Sequence, residues 1–298
     1  MDKTLVVLAG PTAVGKTVCG IEIASHFKTE IISADSRQIY RETTIGTAVP
    51  SPEELALVHH HFIQTISLTE TYNASIYEHQ VLDRLSQLFE KHDLVLMVGG
   101  SGLYIDAVCR GIDDLPSIDP AVRNNLLKRF EEEGLETLTR ELLKLDPVSY
   151  HRVDLRNHMR VLKALEVSIQ TGKPYSSFLS ATRKERSFRI LRVALNMDRE
   201  ILYNRINLRV DKMMESGLLS EVEQLQHLRS YRAMKSVGYR ELFKYLDGEL
   251  LLEEAVDLIK RNSRKFARKQ LTWFRKEDRY QWYSPDNTQQ IIHWIEEQ

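Results

Sequence analysis

Short apolar runs, each stopped by a turn and followed by helical periodicity, set the pattern of the amino-terminal side. Leu5 to Ala9, Glu30 to Ser33 and Leu94 to Val98 read as buried strands. Strands that alternate with helices predict an α/β fold, a parallel sheet flanked by helices on both faces. Ligands of such sheets collect at the carboxyl ends of the strands, which brings together three loops: Gly10 to Thr17, Ala34 to Tyr40, and Gly99 to Tyr104. From about Pro116 the periodicity turns helical with charged faces, over Pro120 to Glu133, Leu135 to Leu145, and Leu155 to Gln170, where Gly172 and Pro174 stop it. Strand alternation returns at Phe188 to Leu195, and from Arg199 the chain is helical again. The expected organisation is an α/β core at 1–116, an all-helical insertion at 117–185, and a return to the core with a helical carboxyl-terminal part at 186–298.

Composition narrows the function classes. The 298 residues are 42% hydrophobic and 28% charged, ordinary for a globular protein, and no apolar stretch approaches the ~20 residues of a membrane span. The first apolar run ends at Gly10 after five residues and is no signal peptide, so a cytoplasmic protein without a membrane partner is expected. Cys19 and Cys109 lie far apart without a C-x-x-C partner, which supports neither a disulfide framework nor a thiolate metal site. Both are expected to pack as small hydrophobes. A net charge of −1 speaks against a strongly basic protein, yet Lys260 to Lys276 holds eight Lys or Arg and no acid.

The segment Gly10-Pro11-Thr12-Ala13-Val14-Gly15-Lys16-Thr17 meets the G-x-x-x-x-G-K-[ST] spacing between a strand and a helix. Its backbone amides and the helix N-terminus form an anion cradle; Lys16 adds a point charge, and Thr17 offers a hydroxyl to Mg²⁺. The cradle identifies a diphosphate or triphosphate without saying which. A nucleotide hydrolase or kinase normally carries a further acid after a buried strand to help hold Mg²⁺. The 93–98 strand instead runs into Gly99-Gly100-Ser101-Gly102. The acid in a comparable place is Asp35, at the end of the second strand, which reads either as a helix N-cap or Mg²⁺ neighbour, or as a general base. The bare backbone of the glycine loop either turns the chain or approaches a ligand, with Ser101 as a donor.

Other constellations carry two readings each. His59, His60 and His61 cannot all face one ion from a regular element, so loop histidines packed near the site are expected rather than a metal centre. Arg205 and Arg209 stand one helical turn apart, either as a solvated face or as a guanidinium clamp on a diphosphate. In the basic stretch Lys260, Arg264 and Arg268 share one line, with Phe266, Trp273 and Phe274 expected toward the core; the line is either solvated or meets a phosphate backbone.

Together, GPTAVGKT, ADSRQIY, GGSGLYIDAV, "RVLKALEV…TGKP" at 160–174, SVGYREL at 236–242 and ARKQLTWFRK resemble the tRNA dimethylallyltransferases, also called tRNA isopentenyltransferases, in order over nearly the whole chain. The resemblance implies transfer of a dimethylallyl group from dimethylallyl diphosphate, with Mg²⁺, to the N6 amine of the adenosine just 3′ of the tRNA anticodon. It implies Asp35 as general base and the cradle, Lys16, Thr17 with Mg²⁺, Arg205 and above all Arg209 on the departing diphosphate. On the tRNA side it implies Asp35, Ser36, Arg37, Gln38, Ser101 (where Thr is usual), Arg123, and the segment Met159, Arg160, Val161, Leu162 and Lys163. Met159 stands where Gln is common and Lys163 where Arg is common. The helical insertion is expected to embrace the anticodon stem-loop, with Arg264 and Arg268 on its backbone; nothing requires an oligomer, and a monomer is expected. Two other readings stand beside this one: a small-molecule or nucleotide kinase built on the cradle, and an RNA-binding ATPase switch resting on the basic helix.

Overall fold

The structure, a computed structural model, describes residues 3–113, 115–179, 184–276 and 279–298. Residues 180–183 of the expected insertion lie outside the described residues, as do 1–2, 114 and 277–278. The chain forms two compact units: Met1–Arg110 with Glu185–Gln298, and Gly111–Lys184. The helical unit therefore starts a few residues before the 117 expected from periodicity.

In order, the first unit runs β1 (Thr4–Ala9), α1 (Lys16–His26), β2 (Ile31–Ser33), α2 (Pro52–Leu57), β3 (His60–His61), α3 (Ala74–Phe89), β4 (Leu94–Gly99) and α4 (Gly102–Arg110). The second unit holds α5 (Pro120–Leu145), α6 (Pro147–Arg152) and α7 (His158–Thr171). The first then resumes with β5 (Arg189–Leu195), α8 (Arg199–Glu215), α9 (Leu218–Gln224), α10 (Tyr239–Leu246), α11 (Leu252–Arg275), β6 (Gln281–Tyr283) and α12 (Thr288–Glu296). Among the described residues no helix is long and apolar enough to cross a membrane.

The strands form one parallel sheet in the order β3-β2-β4-β1-β5-β6. Leu5 to Ala9 is apolar throughout because β1 is central and covered on both faces, and each of those residues is fully buried. Parallel order puts the turns after β1, β2 and β4 at one end of the sheet. The edge strands β3 and β6, of two and three residues, are too short to leave a periodic signal. His59 to His61 are consequently not a loop near the phosphate-type turn. His60 and His61 form the edge strand β3 and His59 immediately precedes it, with Ile31 opposite His60 at the amino end of β2. Cys19 and Cys109 are buried and unpaired, and burial pushes both thiols up to about 11.

In the second unit α5 is interrupted at Gly134, whose φ of 79° and ψ of 170° are not helical, so the apolar stripes before and after it read as two helices. A left-handed Gly172 (φ 66°) caps α7. Leu126, Leu138, Leu142, Val161, Leu162 and Leu165 form the core of this unit.

Arg186 fastens the point where the chain re-enters the first unit. Its guanidinium donates to the carbonyls of Val108 (2.7 Å) and Ala107 (2.9 Å), at the negative end of α4, and to Glu78 Oε1 (2.7 Å). Both side chains are buried, at 9% and 1% exposure, so loss of Arg186 takes a 2.7 Å charged partner from a buried carboxylate. Arg186→Met is expected to lower the stability of the first unit by about 3–5 kcal/mol, whereas the double variant Arg186→Met, Glu78→Gln recovers part of that loss. Urea unfolding of the three proteins measures it; a single variant as stable as the parent would show that the pair contributes nothing.

Candidate active site at the carboxyl end of the sheet

The turn after β1 is shaped for an anion. Gly15 caps α1 with φ 109°, a left-handed conformation that favours glycine, and no side chain occupies the cap. The first amides of α1 are therefore free of a side-chain competitor, at the positive end of the helix. Lys16 donates from Nζ to the carbonyl of Pro11 at 2.7 Å. Burial lowers its pKa to about 8, Asp35 opposes that shift, and Arg209 adds to it. Arg209 donates to Thr12 Oγ1 (3.3 Å), and the exposed Arg205 reaches the Ala13 carbonyl (3.0 Å). Arg205 and Arg209 of α8 thus both meet the loop, one turn apart. Thr17 follows Lys16 at the second position of α1.

Asp35 stands at the end of β2. Its Oδ1 accepts from the amides of Arg37 (2.9 Å) and Gln38 (3.4 Å), while Oδ2 takes no hydrogen bond among the described residues. One oxygen is thus tethered as in a cap and the other is available. Ser101, just after β4, accepts from the Ser36 amide (2.9 Å) and its Oγ lies 3.1 Å from Ser36 Oγ. The second and third loops are joined by that hydroxyl.

Gln38 does not point free. Its amide donates to the carbonyls of Ala48 (2.7 Å) and Thr47 (3.3 Å). The turn before these residues is braced by Glu221, which accepts from the amides of Thr44, Ile45 and Gly46 and from the Tyr239 hydroxyl at 2.6 Å. Tyr239, in the SVGYREL segment, is fully buried and leaves no room for a side chain at Gly46. That segment supports the Asp35 to Gln38 turn from behind.

The basic helix α11 faces this region with more than charge. Arg268 donates to the Tyr203 hydroxyl (2.9 Å), and Arg264 bonds Asn207 Oδ1 (2.5 Å) with its guanidinium 6.0 Å from the Tyr203 ring centroid. Phe274 is core, but Phe266 and Trp273 are 46% and 38% exposed, a correction to their expected inward placement. Trp273 lies instead over Gly102 and donates to Asp106 Oδ2 at 2.9 Å.

In the second unit Arg123 is bonded to the buried Glu166 (2.8 Å). Met159 and Arg160 are exposed and Lys163 is half-buried, but Val161 and Leu162 are 0% and 1% exposed. The side chains of Val161 and Leu162 therefore build the core of their unit and are not RNA contacts, which corrects their expected role. A contiguous motif on a helix necessarily turns part of itself inward.

Gln270 is the site residue that sequence reasoning missed. From α11, its Oε1 accepts from the Thr12 amide (2.9 Å) and its Nε2 donates to the Gly100 carbonyl (2.9 Å). A side chain at Gly100 would lie 2.3 Å from that Nε2, so glycine is required for the approach. The available signal was a polar residue within the inward stripe of Ala267 and Phe274, three before and four after it. Gln270→Glu keeps the acceptor for Thr12 but sets a carboxylate oxygen against the Gly100 carbonyl. It is expected to lower the thermal midpoint and to speed amide exchange at Thr12, with a cost of about 1–3 kcal/mol. Unchanged exchange at Thr12 would show that the bridge does not hold the loop.

The IPP transferase family profile matches residues 38–277. The tRNA dimethylallyltransferase 1 of Phocaeicola vulgatus is 52% identical over 295 residues, covering 99% of this chain and 98% of that protein. The Bacteroides thetaiotaomicron protein of the same description is 49% identical over 98% of this chain and 95% of its own. Among solved structures, the tRNA isopentenylpyrophosphate transferase of Bacillus halodurans superposes with a TM-score of 0.72 at 34% identity, covering 99% and 96% of the two chains. A eukaryotic dimethylallyltransferase acting on tRNA gives 0.73 at 25% identity, over 91% of this chain and 70% of that one. A parallel sheet flanked by helices, an anion loop braced by α11, and matches over nearly the full length agree, and the chain belongs to the tRNA dimethylallyltransferase (IPP transferase) family.

Proposed function

We propose that this enzyme transfers a dimethylallyl group from dimethylallyl diphosphate to the N6 amine of the adenosine immediately 3′ of the anticodon in tRNA, as a cytoplasmic monomer. The observation that carries the reading is the meeting of a cationic cradle with one carboxylate. Lys16 and Arg209 are held on the turn after β1, and Asp35 follows β2 at the same end of the sheet, where its charge opposes the effect of burial on both cations. β4 ends in Gly99 and the turn that follows, residues 100–104, carries no acid, which disfavours a kinase.

The reaction balances on these residues. The N6 lone pair forms the new N–C bond at the allylic carbon, the C–O bond to the diphosphate breaks, and the electron pair leaves with pyrophosphate. Lys16, Arg209, Arg205 and the α1 N-terminus stabilise that charge. Asp35 Oδ2 accepts the N6 proton, while Oδ1 is kept in place by the Arg37 and Gln38 amides. A hard hydroxyl at Thr17 beside a phosphate-shaped loop fits Mg²⁺, which takes few protein oxygens together with substrate phosphates. When bound, Mg²⁺ would neutralise part of the leaving charge.

The adenine must leave its stack to reach Asp35. Ser36, Arg37, Ser101 and the backbone near Gln38 are the groups proposed to receive it, and Arg264 and Arg268 to meet the RNA backbone. From the second unit Arg123, Met159, Arg160 and Lys163 are proposed as tRNA contacts, with Arg123 sharing its charge with Glu166.

Incubation of the protein with tRNA and dimethylallyl diphosphate is expected to release pyrophosphate and yield an N6-prenylated adenosine on nucleoside analysis; its absence would contradict the proposal. Asp35→Asn retains the tethering acceptor but loses the base, so turnover should fall by about 10²–10⁴ with tRNA binding kept. Equal losses of turnover and tRNA affinity would make Asp35 a binding residue only. Lys16 carries its charge below about pH 8 and loses it above. Donor affinity should therefore weaken as the pH rises from 7 to 9.5, and calorimetry of Lys16→Met should show a weaker affinity without that slope.

A further inference from the structure

The amino end of the sheet, opposite the active site, gathers a second set of chemically able groups. Successive strand residues alternate sides, so His59 and His61 share one side of the edge while His60 turns away, its Nδ1 2.8 Å from the Val58 carbonyl. The His59 and His61 rings stand edge to face at 4.5 Å. Glu30, just before β2, meets them: its Oε2 is 2.7 Å from His61 Nε2, and its Oε1 is 3.5 Å from His92 Nε2. One donor atom from each of Glu30, His59 and His61 lies within 4.8 Å of the other two.

From this convergence we propose a divalent transition-metal site, of the zinc class, ligated by Glu30, His59 and His61. Two imidazoles and a carboxylate suit a borderline ion and leave a position open to water. Tetrahedral Zn²⁺ with bonds of about 2.0–2.1 Å sets its donors about 3.3 Å apart, so the set has to close by roughly 1.5 Å. His59 is exposed and free to turn inward. Ion binding replaces the Glu30–His61 hydrogen bond: His61 presents an unprotonated Nε2 and any proton it carried there is released. His92, against the other Glu30 oxygen, orients the carboxylate from behind.

Access and consequence are both visible. The histidines open onto a cavity of about 600 Å³, also lined by Thr65, Asp83, Arg84 and Gln87, which gives an ion its entry path. The site is remote from the chemistry. Glu30 and Asp35 flank β2, five residues or about 16 Å apart along an extended chain. The chain leaving β3 nevertheless runs to the active-site turn, where the amides of Gln64 and Thr65 donate to the carbonyls of Gln38 and Ile39 (both 2.8 Å). An ion that clamps β3 to β2 stiffens the strand from which that support departs.

Calorimetry and thermal unfolding of the untagged protein with ZnCl₂, and with MgCl₂ as control, test the site. Zn²⁺ should bind one to one and raise the thermal midpoint, and Mg²⁺ at equal concentration should do neither. Co²⁺ should give the intense visible bands of a tetrahedral N/O site. His59→Ala, at an exposed position, and His61→Gln, which keeps a hydrogen-bonding group toward Glu30, should each weaken Zn²⁺ by at least about tenfold and abolish the Co²⁺ bands. Asp35→Asn should leave both readouts intact. No Zn²⁺ binding, equal affinity in the histidine variants, or loss of binding in Asp35→Asn would overturn the assignment.

Discussion

A parallel sheet delivers the turns that follow its strands to one end, and every buried backbone amide there must meet a partner or a ligand. The Gln270 side chain decides which. It takes the Thr12 amide and the Gly100 carbonyl, so the phosphate-type turn and the glycine turn are fixed to each other and to α11 by one buried group. The amides left over at the start of α1 are those suited to receive an anion. Without that division of labour the loop would present a softer and less selective cradle, because a buried amide without a partner costs about 1–3 kcal/mol and would draw the backbone elsewhere.

Charge completes what the backbone begins. Burial works against the Lys16 ammonium and the Arg209 guanidinium alike, and Asp35 partly restores both. In the proposed reaction a diphosphate would give these cations a nearer partner and leave the carboxylate to take the proton. The tether on Asp35 Oδ1 serves the same end, since it fixes the direction of Oδ2 without occupying it. Under the proposed function, donor binding and preparation of the base would be one electrostatic event.

Much of this was legible in the chain. β1, β2, β4 and β5 announce themselves as apolar runs, Gly15, Lys16 and Thr17 by their spacing, and the pairing of Arg205 with Arg209 by helical period. What escaped has physical reasons. β3 and β6 are edge strands of two and three residues, too short for a periodic signal, so His60 and His61 passed for a loop. Gln270 sits in an apolar stripe where a polar residue looks like an imperfection until its two backbone partners are seen. Val161 and Leu162 lie within a motif, but a helix that carries exposed residues also carries the face that holds it down. Tyr239, Glu221 and Gly46 act together across the fold, and no local pattern shows a buried hydroxyl paired with a carboxylate.

The central claim is that the cradle is built for the diphosphate of a prenyl donor. Isothermal titration of the protein with dimethylallyl diphosphate and, separately, with ATP, both in Mg²⁺, tests it most directly. Saturable donor binding that outcompetes ATP by at least about tenfold is expected, which corresponds to about 1.4 kcal/mol of preference. Tight ATP binding with none for the prenyl diphosphate would contradict it.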